Sequence, residues 1–464
     1  MKRSVRVWLL PFLVLLCVTV PHLGQGDYVR DTGRYAAVGH FMWEGRYPWV
    51  PYLNPETPYF NKPPLALMIH GAFLQTFGVH LAVARLPSIL AALGVVGLTM
   101  LTVREIGSRT EALTSGLVLA STYEFFRRTR EISLDFWQLF FLMAAVYLAV
   151  TALRRNHRIR LVLAGVPIGL ALLCKPLVGL VVIPIFGIWI LLARRPRWLP
   201  WLLLGTLPVA VGIALPWHLH IHALFGRDFL AQYFGHELVD RALGLERNQP
   251  LYYYLAENLR TYWPWALGVL FALVHRFHGR KPRRRQQRDL VLYALIWLGP
   301  VLLALSLFPD KKPNYALPLY PMLAWIVAYG LCRLPRPRLR RWYDSGFRGL
   351  APALAIMLLL VSVAPIQFQP PPDRNWQRLF AWLQEHRVDS ARLAHDGALS
   401  NDVCYFYLKT GQWLRSWQWW QAHPETAPEQ GYILTRCGSD RVKQSPDAVV
   451  FSAGNLALIS TAPR

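Results

Sequence analysis

Long apolar blocks, separated by short polar runs, follow one another along most of the chain. Each block approaches the roughly 20 residues that a helix needs to cross the hydrocarbon layer of a bilayer. We therefore predict an all-α polytopic membrane protein with about 11 transmembrane helices. The predicted spans lie at about 7–21, 84–103, 110–126, 134–153, 161–174, 177–193, 199–216, 263–275, 289–307, 314–332 and 347–365.

The basic runs between these blocks predict how the chain is oriented. With the spans above, every run falls on the same side as the N-terminus, and loops rich in Lys and Arg are typically cytoplasmic. An additional span at 65–77 would break this agreement, so we interpret that block as a helix lying at the outer membrane surface. The runs lie at 2–6, 104–109, 154–160, 194–197, 275–288 and 333–348.

This orientation places two long loops, 22–83 and 217–262, on the outer side together with the C-terminal segment. The C-terminal segment mixes an amphipathic stretch at 376–386 with short apolar runs. That change of pattern predicts a small extracytoplasmic α/β domain. We therefore predict two domains, a transmembrane domain at 1–365 and a small α/β domain at 366–464.

Composition agrees with a membrane location. Hydrophobic residues make up 54% of the 464 residues and charged residues only 16%, whereas about a quarter are charged in a typical soluble domain. The net charge of +24 raises nucleic-acid binding as an alternative. The basic residues, however, lie between apolar blocks, and no basic helix or aromatic-rich sheet module accompanies them. We expect no nucleic-acid partner.

Familiar soluble-enzyme motifs are missing from the sequence. It contains no P-loop, no GxGxxG and no HExxH, so an energised carrier lipid is a better donor than a nucleotide on the outer side. Cys404 and Cys437 lie in the C-terminal segment and do not form a CxxC pair. They either form a disulfide in an oxidising compartment or are two separate buried thiols.

Two acidic residues on the outer side are candidate catalytic groups. Asp31 is an acceptor-only carboxylate that could take a proton from a sugar or lipid hydroxyl. Its alternative role is to cap a helix that begins near Arg34. Asp135 opens a predicted span, where ionisable groups are costly and are commonly functional or paired. Its alternatives are helix capping and an ion pair with Arg130.

Isolated cations on the outer side form a second group of candidates, because they go against the positive-inside trend. They either extend to lipid headgroups or line a pocket for a phosphate. Several cations on the same side as two carboxylates favour a phosphorylated lipid substrate. These residues are Lys62, Arg85, Lys175, Lys311 and Lys312.

An ordered set of motifs across about residues 1–365 resembles the GT-C glycosyltransferases. The branch that it resembles most is that of the bacterial aminoarabinose lipid A transferases and their protein-mannosyltransferase-like relatives. The motifs are Asp31-x-x-Arg34-Tyr35-Ala36, YFNKPPL at 59–65, ARLPS at 84–88, GLALLCK at 169–175, LPW at 215–217, PLYYY at 250–254 and KPNYALPLYP at 312–321.

The resemblance implies a multi-pass glycosyltransferase of the bacterial inner membrane with its active site facing the periplasm. The donor would be a polyprenyl-phosphate-linked sugar, and the acceptor would be lipid A or another envelope glycan or lipid. Asp31 would be the catalytic carboxylate and Asp135 would assist at the same cavity, with inversion at the anomeric carbon. The residues that would hold the lipid phosphate are Lys62, Arg85, Lys175, Arg247 and Lys312.

One departure from the family pattern concerns a metal. Some relatives have Glu and His as a metal pair at the positions of Asn61 and Arg247 in this chain. We therefore expect no metal or other cofactor, and hypothesise that Arg247 supplies the positive charge that a metal supplies elsewhere. Four nearby histidines leave room for a different metal arrangement: His218, His220, His222 and His236.

Two other functions stay open at this point. One is a transporter or lipid flippase, although such proteins commonly show inverted repeats and broken helices, and neither pattern is visible in the sequence. The other is a protein O-glycosyltransferase of the same fold.

Overall fold

Helices form most of the described chain, as the apolar blocks predict. The computed structural model describes residues 7–21, 23–28, 30–45, 49–175, 178–240, 249–278, 285–309, 311–333, 373–396, 400–426, 428 and 430–461. The first helices are α1 (Leu10–Thr19), α2 (Arg30–Glu44), α3 (Pro64–Phe77), α4 (Leu81–Ile106), α5 (Arg109–Ala120), α6 (Tyr123–Thr129), α7 (Leu134–Arg155), α8 (Arg158–Leu163), α9 (Gly165–Leu172) and α10 (Val182–Leu192). A short hairpin of β1 (Tyr52–Asn54) and β2 (Thr57–Pro58) lies between α2 and α3.

The second half continues with helices and ends in a mixed α/β region. Its helices are α11 (Leu199–Trp201), α12 (Leu207–Leu230), α13 (Tyr253–Thr261), α14 (Trp265–His278), α15 (Arg285–Leu307), α16 (Tyr320–Leu331), α17 (Arg374–Glu385), α18 (Ser400–Thr410), α19 (Trp417–Ala422) and α20 (Asp440–Gln444). Two π-helical stretches adjoin α12, at Leu202–Thr206 and Ala231–Asp240. The 3-10 turns are Val178–Val181, Pro196–Trp198, Pro313–Leu319, Ser390–Arg392, Pro424–Thr426 and Pro446–Ala448.

Several of these helices are long and apolar enough to cross a bilayer. In the described part of the chain, three helical stretches are long and apolar enough to cross a membrane: Leu81–Ile106, Leu134–Arg155 and Pro196–Gly235. The predicted total of about 11 spans stays a prediction. Shorter apolar helices lie at Leu10–Thr19, Pro64–Phe77, Gly179–Leu192, Trp265–Val274 and Val291–Leu307.

Several predicted spans differ from the helices observed; the block 161–174, for example, is divided between α8 and α9. The block 110–126 is not one helix, because the Ser121 and Thr122 hydroxyls bond carbonyl oxygens of the preceding turn and Thr122 has an extended backbone. Side-chain bonds of this kind compete with helix continuation. The block 199–216 continues to Leu230, with a bend at Gly226, whose φ is +52°. The predicted span 347–365 lies outside the described residues.

The described chain divides into two compact units that alternate along the sequence. The first unit contains the described residues of Met1–Leu23, Phe60–Ala66 and Arg85–Ile366. The second contains those of Gly24–Tyr59, Leu67–Ala84 and Gln367–Arg464. The predicted linear division at residue 366 stays a prediction.

A large apolar core fills the first unit. Trp189, Trp297 and Trp325 are among its largest fully buried side chains, and the rings of Trp189 and Trp297 stack with centroids 6.4 Å apart. The Trp297 indole N–H donates to the Pro318 carbonyl oxygen at 3.0 Å. That bond fixes the polar edge of a buried aromatic ring and ties α15 to the turn Pro313–Leu319.

A five-stranded sheet is the core of the C-terminal part of the second unit. Its strands are β3 (Leu393–His395), β4 (Arg415–Ser416), β5 (Tyr432–Arg436), β6 (Val449–Ala453) and β7 (Leu456–Ser460), in the order β4-β3-β5-β7-β6. Strand β3 pairs in parallel with β4 and β5, whereas β7 pairs antiparallel with β5 and β6. Helix α17 buries Trp376, Leu379 and Leu383, which share one helical face. The predicted mixed α/β composition of this segment is confirmed, and its extracytoplasmic location stays a prediction.

Helices α2 and α3 approach closely within the second unit. A Cβ at Gly39 would collide with the Leu67 carbonyl oxygen, and one at Gly71 would collide with the carbonyl oxygen of Gly39. Only glycine fits where two backbones meet in this way. The block 65–77 is helical as predicted, since it lies within α3. Its position at the membrane surface stays a prediction.

The two C-terminal cysteines are separate thiols. The Cys404 Sγ lies 3.7 Å from the Leu53 carbonyl oxygen, and the Cys437 Sγ lies 3.2 Å from that of Leu456. Of the two alternatives, the structure supports separate thiols.

Candidate functional site

An ion pair between two predicted site residues lies in the first unit. Asp135 is in the first turn of α7, and Lys175 follows α9, with its backbone N–H still bonded to the Ala171 carbonyl oxygen. The Lys175 Nζ lies 2.5 Å from Asp135 Oδ1. The side chain of Lys175 is only 13% exposed and that of Asp135 only 17%. Removing charges from water is costly unless they are paired and hydrogen-bonded, so each of these two groups requires the other.

The 3-10 turn Pro313–Leu319 adds two further residues to this pair. The Asn314 side-chain amide donates to Asp135 Oδ2 at 2.9 Å, and the Lys175 Nζ lies 4.3 Å from the centroid of the Tyr315 ring. Gln138, one turn along α7, donates to the Lys175 carbonyl oxygen at 3.2 Å. Both oxygens of the carboxylate are therefore held by donors, and the ammonium faces an aromatic ring. We call Asp135, Lys175, Asn314 and Tyr315 the carboxylate cluster.

Two of the four residues of this cluster, Asp135 and Lys175, are candidate site residues on the sequence alone. Asn314 and Tyr315 were part of the recognised KPNY run, but no role was assigned to either. Polar side chains next to a lysine, as in this run, indicate a possible site. The sequence does not show which carboxylate they contact, because that contact depends on the tertiary fold. The two alternatives for Asp135 are not supported. Ser133, not Asp135, occupies the N-cap position, and the Arg130 guanidinium donates to the Val18 carbonyl oxygen at 3.1 Å.

A second charged group, which sequence analysis missed, lies just before α7. Glu124, buried at 2% exposure, accepts hydrogen bonds from Arg127 at 2.8 Å and Arg128 at 2.7 Å. Glu131 accepts from the same two arginines at 3.0 and 2.8 Å. The E-x-x-R-R-x-x-E spacing at 124–131 indicates this group in the sequence, because it places the four charged side chains on neighbouring helical turns. The group stabilises the chain that leads to Asp135.

The predicted phosphate-binding cations are largely buried rather than extended to solvent. Lys62 is 5% exposed and its Nζ donates to the Asn61 carbonyl oxygen at 2.9 Å. Arg85 is 2% exposed and donates to the Leu23 carbonyl oxygen at 2.6 Å. Extension to lipid headgroups therefore does not describe either side chain. Arg247 lies outside the described residues.

Lys311 and Lys312 differ in their environments. The Lys311 Nζ donates to the Gln249 carbonyl oxygen at 2.9 Å, and burial lowers the pKa of this lysine. The backbone N–H and carbonyl of Lys312 both lie within hydrogen-bond reach of the Tyr254 hydroxyl, at 3.3 and 3.2 Å. Tyr254 therefore fixes the start of the turn that carries Asn314 and Tyr315.

Asp31 lies in the second unit, in the first turn of α2. The helix begins at Arg30, so Asp31 is inside it and does not cap it. Asp31, whose side chain is 46% exposed, forms an ion pair with Arg34. The Arg34 guanidinium carbon lies 5.7 Å from the centroid of the Tyr59 ring. Burial acts to lower the pKa of Arg34, but Tyr59 and Asp31 outweigh it and the pKa lies above its ordinary value. Arg34 thus remains a cation that orients the Asp31 carboxylate.

Two of the four histidines that leave room for a different metal arrangement, His218 and His222, lie within hydrogen-bond distance of other groups. The His218 Nδ1 lies 2.9 Å from the Ala214 carbonyl oxygen, and its Nε2 lies 2.9 Å from the Tyr233 hydroxyl. The His222 Nδ1 lies 3.2 Å from the Gly226 carbonyl oxygen. Within the described residues, no three His, Cys, Asp or Glu side chains come together as metal ligands.

Comparison with known proteins adds sequence relatives. The sequence profile of the dolichyl-phosphate-mannose-protein mannosyltransferase family matches residues 61–220. An uncharacterized protein of Aquifex aeolicus is 30% identical over 331 residues, which are 71% of this chain and 64% of the relative. The undecaprenyl phosphate-alpha-4-amino-4-deoxy-L-arabinose arabinosyl transferase of Shewanella sediminis is 28% identical over 337 residues, which are 70% of this chain and 59% of the relative. The chain therefore spans about three fifths of the length of these relatives.

Solved structures show the same fold. ArnT from Cupriavidus metallidurans, in its complex with undecaprenyl phosphate, matches with a TM-score of 0.70 and 18% identity over 97% of each chain. The Archaeoglobus fulgidus oligosaccharyltransferase matches with a TM-score of 0.54 and 14% identity over 87% of this chain and 58% of that one.

Proposed function

We propose that this chain is a glycosyltransferase of the GT-C superfamily, in its aminoarabinose-transferase-like branch, and that it transfers a sugar from a polyprenyl-phosphate donor to lipid A or another envelope glycan or lipid; its sequence relatives and its fold support this proposal. The observation that carries the proposal is the carboxylate cluster. It unites two motifs of that superfamily, around Lys175 and Asn314, on one buried carboxylate, Asp135.

The reaction that these groups suit is a direct displacement at the anomeric carbon. The acceptor hydroxyl oxygen forms the new bond to that carbon, and the bond between the carbon and the phosphate oxygen breaks. The electron pair of the broken bond leaves with the polyprenyl phosphate. Asp31 takes the acceptor's proton as general base, and the configuration at the carbon inverts.

The leaving phosphate gains negative charge during this step, and cations stabilise such charge. We assign this task to Lys175, whose ammonium is already held by Asp135 and Tyr315, and to Lys62, Arg85 and Lys312. Arg247 joins them as the proposed replacement for a metal. Asp135 positions Lys175 and keeps this ammonium ordered before the donor arrives.

We further propose that the reaction takes place on the periplasmic face of the inner membrane and requires no metal. The absence of a metal requirement is supported by Asn61 and Arg247, which stand where some relatives have the metal ligands Glu and His. Treatment of the purified protein with a chelator is expected to leave the transfer rate unchanged. Strong inhibition that zinc or magnesium reverses would contradict it.

Mass spectrometry of envelope glycans tests the proposed activity. Lipid A, the lipopolysaccharide core and polyprenyl-phosphate sugars are compared between cells with and without this protein. We expect one sugar to disappear from an envelope glycan or lipid and its lipid-phosphate donor to accumulate. An unchanged glycan profile and donor pool would contradict the proposal.

Variants of two aspartates make this test specific. Asp31→Asn is expected to abolish the modification, because the amide cannot accept the proton. Asp440→Asn is the matched control, since the Asp440 side chain is 87% exposed and should be dispensable. Full activity of Asp31→Asn at normal protein levels would remove Asp31 from the reaction.

A protein acceptor is the second candidate, and the match to the protein mannosyltransferase family over residues 61–220 favours it. In that case the glycan profile stays constant, the donor still accumulates, and an envelope protein loses mass equal to one sugar residue. The same comparison therefore separates the two acceptor classes.

A further inference from the structure

Helix α18 of the C-terminal segment contacts the helix that carries Asp31. The Tyr407 hydroxyl donates to Glu44 Oε2 and lies 2.6 Å from the Nδ1 of His40. A hydroxyl has one proton to give. Because Glu44 receives it, the His40 ring must carry a hydrogen on Nδ1 and donate that hydrogen to Tyr407. One hydroxyl therefore fixes two residues in the C-terminal half of α2.

A second contact from α18 fixes the chain just before α2. Asp27 is 2% exposed and its carboxylate accepts from the Tyr405 hydroxyl and from the Tyr28 backbone N–H, the latter at 2.8 Å. The Lys409 ammonium lies 2.9 Å from the same carboxylate. A buried carboxylate with this set of donors is a strong fixed point.

Asp31 lies between these two fixed points. Asp27 precedes it by about one helical turn, and His40 follows it by nine residues on the same helix, about 14 Å at 1.5 Å per residue. A helix is stiff over that length, so holding its far end and its entry fixes the position of the Asp31 backbone and the direction of its Cα–Cβ bond. The Gly39 contact with α3 prevents the helix from shifting sideways.

We propose that Tyr405 and Tyr407 are positioning residues, which hold the Asp31 helix in its working orientation, and that this is a task of the C-terminal segment. The inference rests on the proposed function, because it acts through Asp31. Neither tyrosine touches substrate in this proposal, and both act through hydroxyl groups.

Phenylalanine variants test this role with little change in packing. The Tyr407 ring stacks on Trp413 at 4.1 Å, and the Tyr405 ring packs on Trp376 at 4.9 Å. Tyr407→Phe and Tyr405→Phe keep these contacts and remove only the hydroxyls. Tyr432→Phe is the matched control, because Tyr432 is a partly buried tyrosine of β5 that packs on Trp382.

The measurements are made on the full-length protein in lipid nanodiscs. We expect kcat to fall at least about tenfold in Tyr407→Phe and Tyr405→Phe, while the affinity for undecaprenyl phosphate stays within about twofold. Hydrogen exchange of residues 30–45 should become faster. Tyr432→Phe should match the parent protein in all three. Unchanged kcat in both variants, or an equal loss of lipid affinity and kcat, would overturn the inference.

Two further variants separate this inference from the proposed function. In an Asp31→Asn background, adding Tyr407→Phe should leave the residual rate unchanged, because the residue acts through Asp31; a further tenfold loss would show an independent role and refute the inference. If Asp31→Asn alone keeps full activity, both proposals fail. If Tyr407→Phe does not fold, Glu44→Gln weakens the same contact from a half-exposed side chain, and it should lower kcat in the same direction.

Discussion

The Lys175 ammonium lies 2.5 Å from the Asp135 carboxylate, although 40 positions separate the two residues. Asp135 lies in the predicted span 134–153 and Lys175 in the turn after the predicted span 161–174, so the pair connects the N-terminal end of α7 to the segment that follows α9. The pair has two separable effects, on the stability of the fold and on the chemistry of the site.

A double-mutant cycle on this pair distinguishes the two effects. Asp135→Asn or Lys175→Met leaves one buried charge without its partner, and each should lower the free energy of unfolding by up to about 3–5 kcal/mol. The double variant should be destabilised by less than the sum, with a coupling of roughly 0.5–3 kcal/mol. Its transfer activity should nevertheless stay lost. Thermal unfolding in nanodiscs and the sugar-transfer assay provide the two readouts, and additive destabilisation would argue against a coupled pair.

The aromatic ring of Tyr315 should matter more than its hydroxyl for holding Lys175. Tyr315→Phe keeps a ring 4.3 Å from the ammonium, whereas Tyr315→Leu removes it. A cation over an aromatic face contributes about 0.5–2 kcal/mol. We expect Tyr315→Leu to be less stable than Tyr315→Phe by about that amount, as measured by thermal unfolding. Equal unfolding midpoints would contradict a cation–aromatic contact.

The contact between α2 and α3 should not tolerate a methyl group. In Gly71→Ala, the new Cβ would collide with the Gly39 carbonyl oxygen, which is backbone and cannot rotate away. Overpacking of this kind costs roughly 1–3 kcal/mol or more. Gly212→Ala is the control, because a Cβ at Gly212 meets no atom within 4 Å. Thermal unfolding should show a loss for the first variant and none for the second.

Acid pH should destabilise the second unit through two buried histidines. Burial lowers the pKa of His40, with partial opposition from Glu44, and burial lowers the pKa of His395. In the unfolded chain these residues titrate near about 6.5. The unfolded chain therefore binds protons that the folded chain does not, and stability present above this pH is lost as the pH falls through the folded-state pKa values.

The measurement is the thermal unfolding midpoint between about pH 7.5 and about pH 5.5. The midpoint should fall towards acid, and His40→Gln should show a smaller fall. His386→Gln, at an exposed position of the same unit, serves as the control and should keep the parent's pH dependence. Parallel curves for His40→Gln and the parent would mean that His40 does not contribute.

The helical fold could be predicted because apolar blocks of span length leave few other structures for the backbone. The break at Thr122 could not be predicted, because it depends on the Ser121 and Thr122 hydroxyl groups, which donate to carbonyl oxygens of the preceding helical turn. The hydrophobic pattern indicates which residues are buried, but it does not indicate where a helix ends.

The candidate site was predictable in its residue types and not in its contacts. Asp135 and Lys175 stood out as charges within apolar sequence, and the structure joins them. The Asn314 contact required the turn Pro313–Leu319 to fold against α7, and Tyr407 required a segment more than 360 positions from α2. Pairing across such distances leaves no periodic signal in one sequence.

The separation of His40 and Tyr407 by 367 positions also sets an order of events during synthesis. At about 5–20 residues per second, the ribosome adds Tyr407 on the order of 20–70 s after His40. During that interval the helix bearing Asp31 exists without the partners that hold it. A nascent chain stalled between Tyr315 and α18 should therefore contain every residue of the carboxylate cluster but not an anchored Asp31, so the anchoring of Asp31 can begin only after α18 has been synthesised.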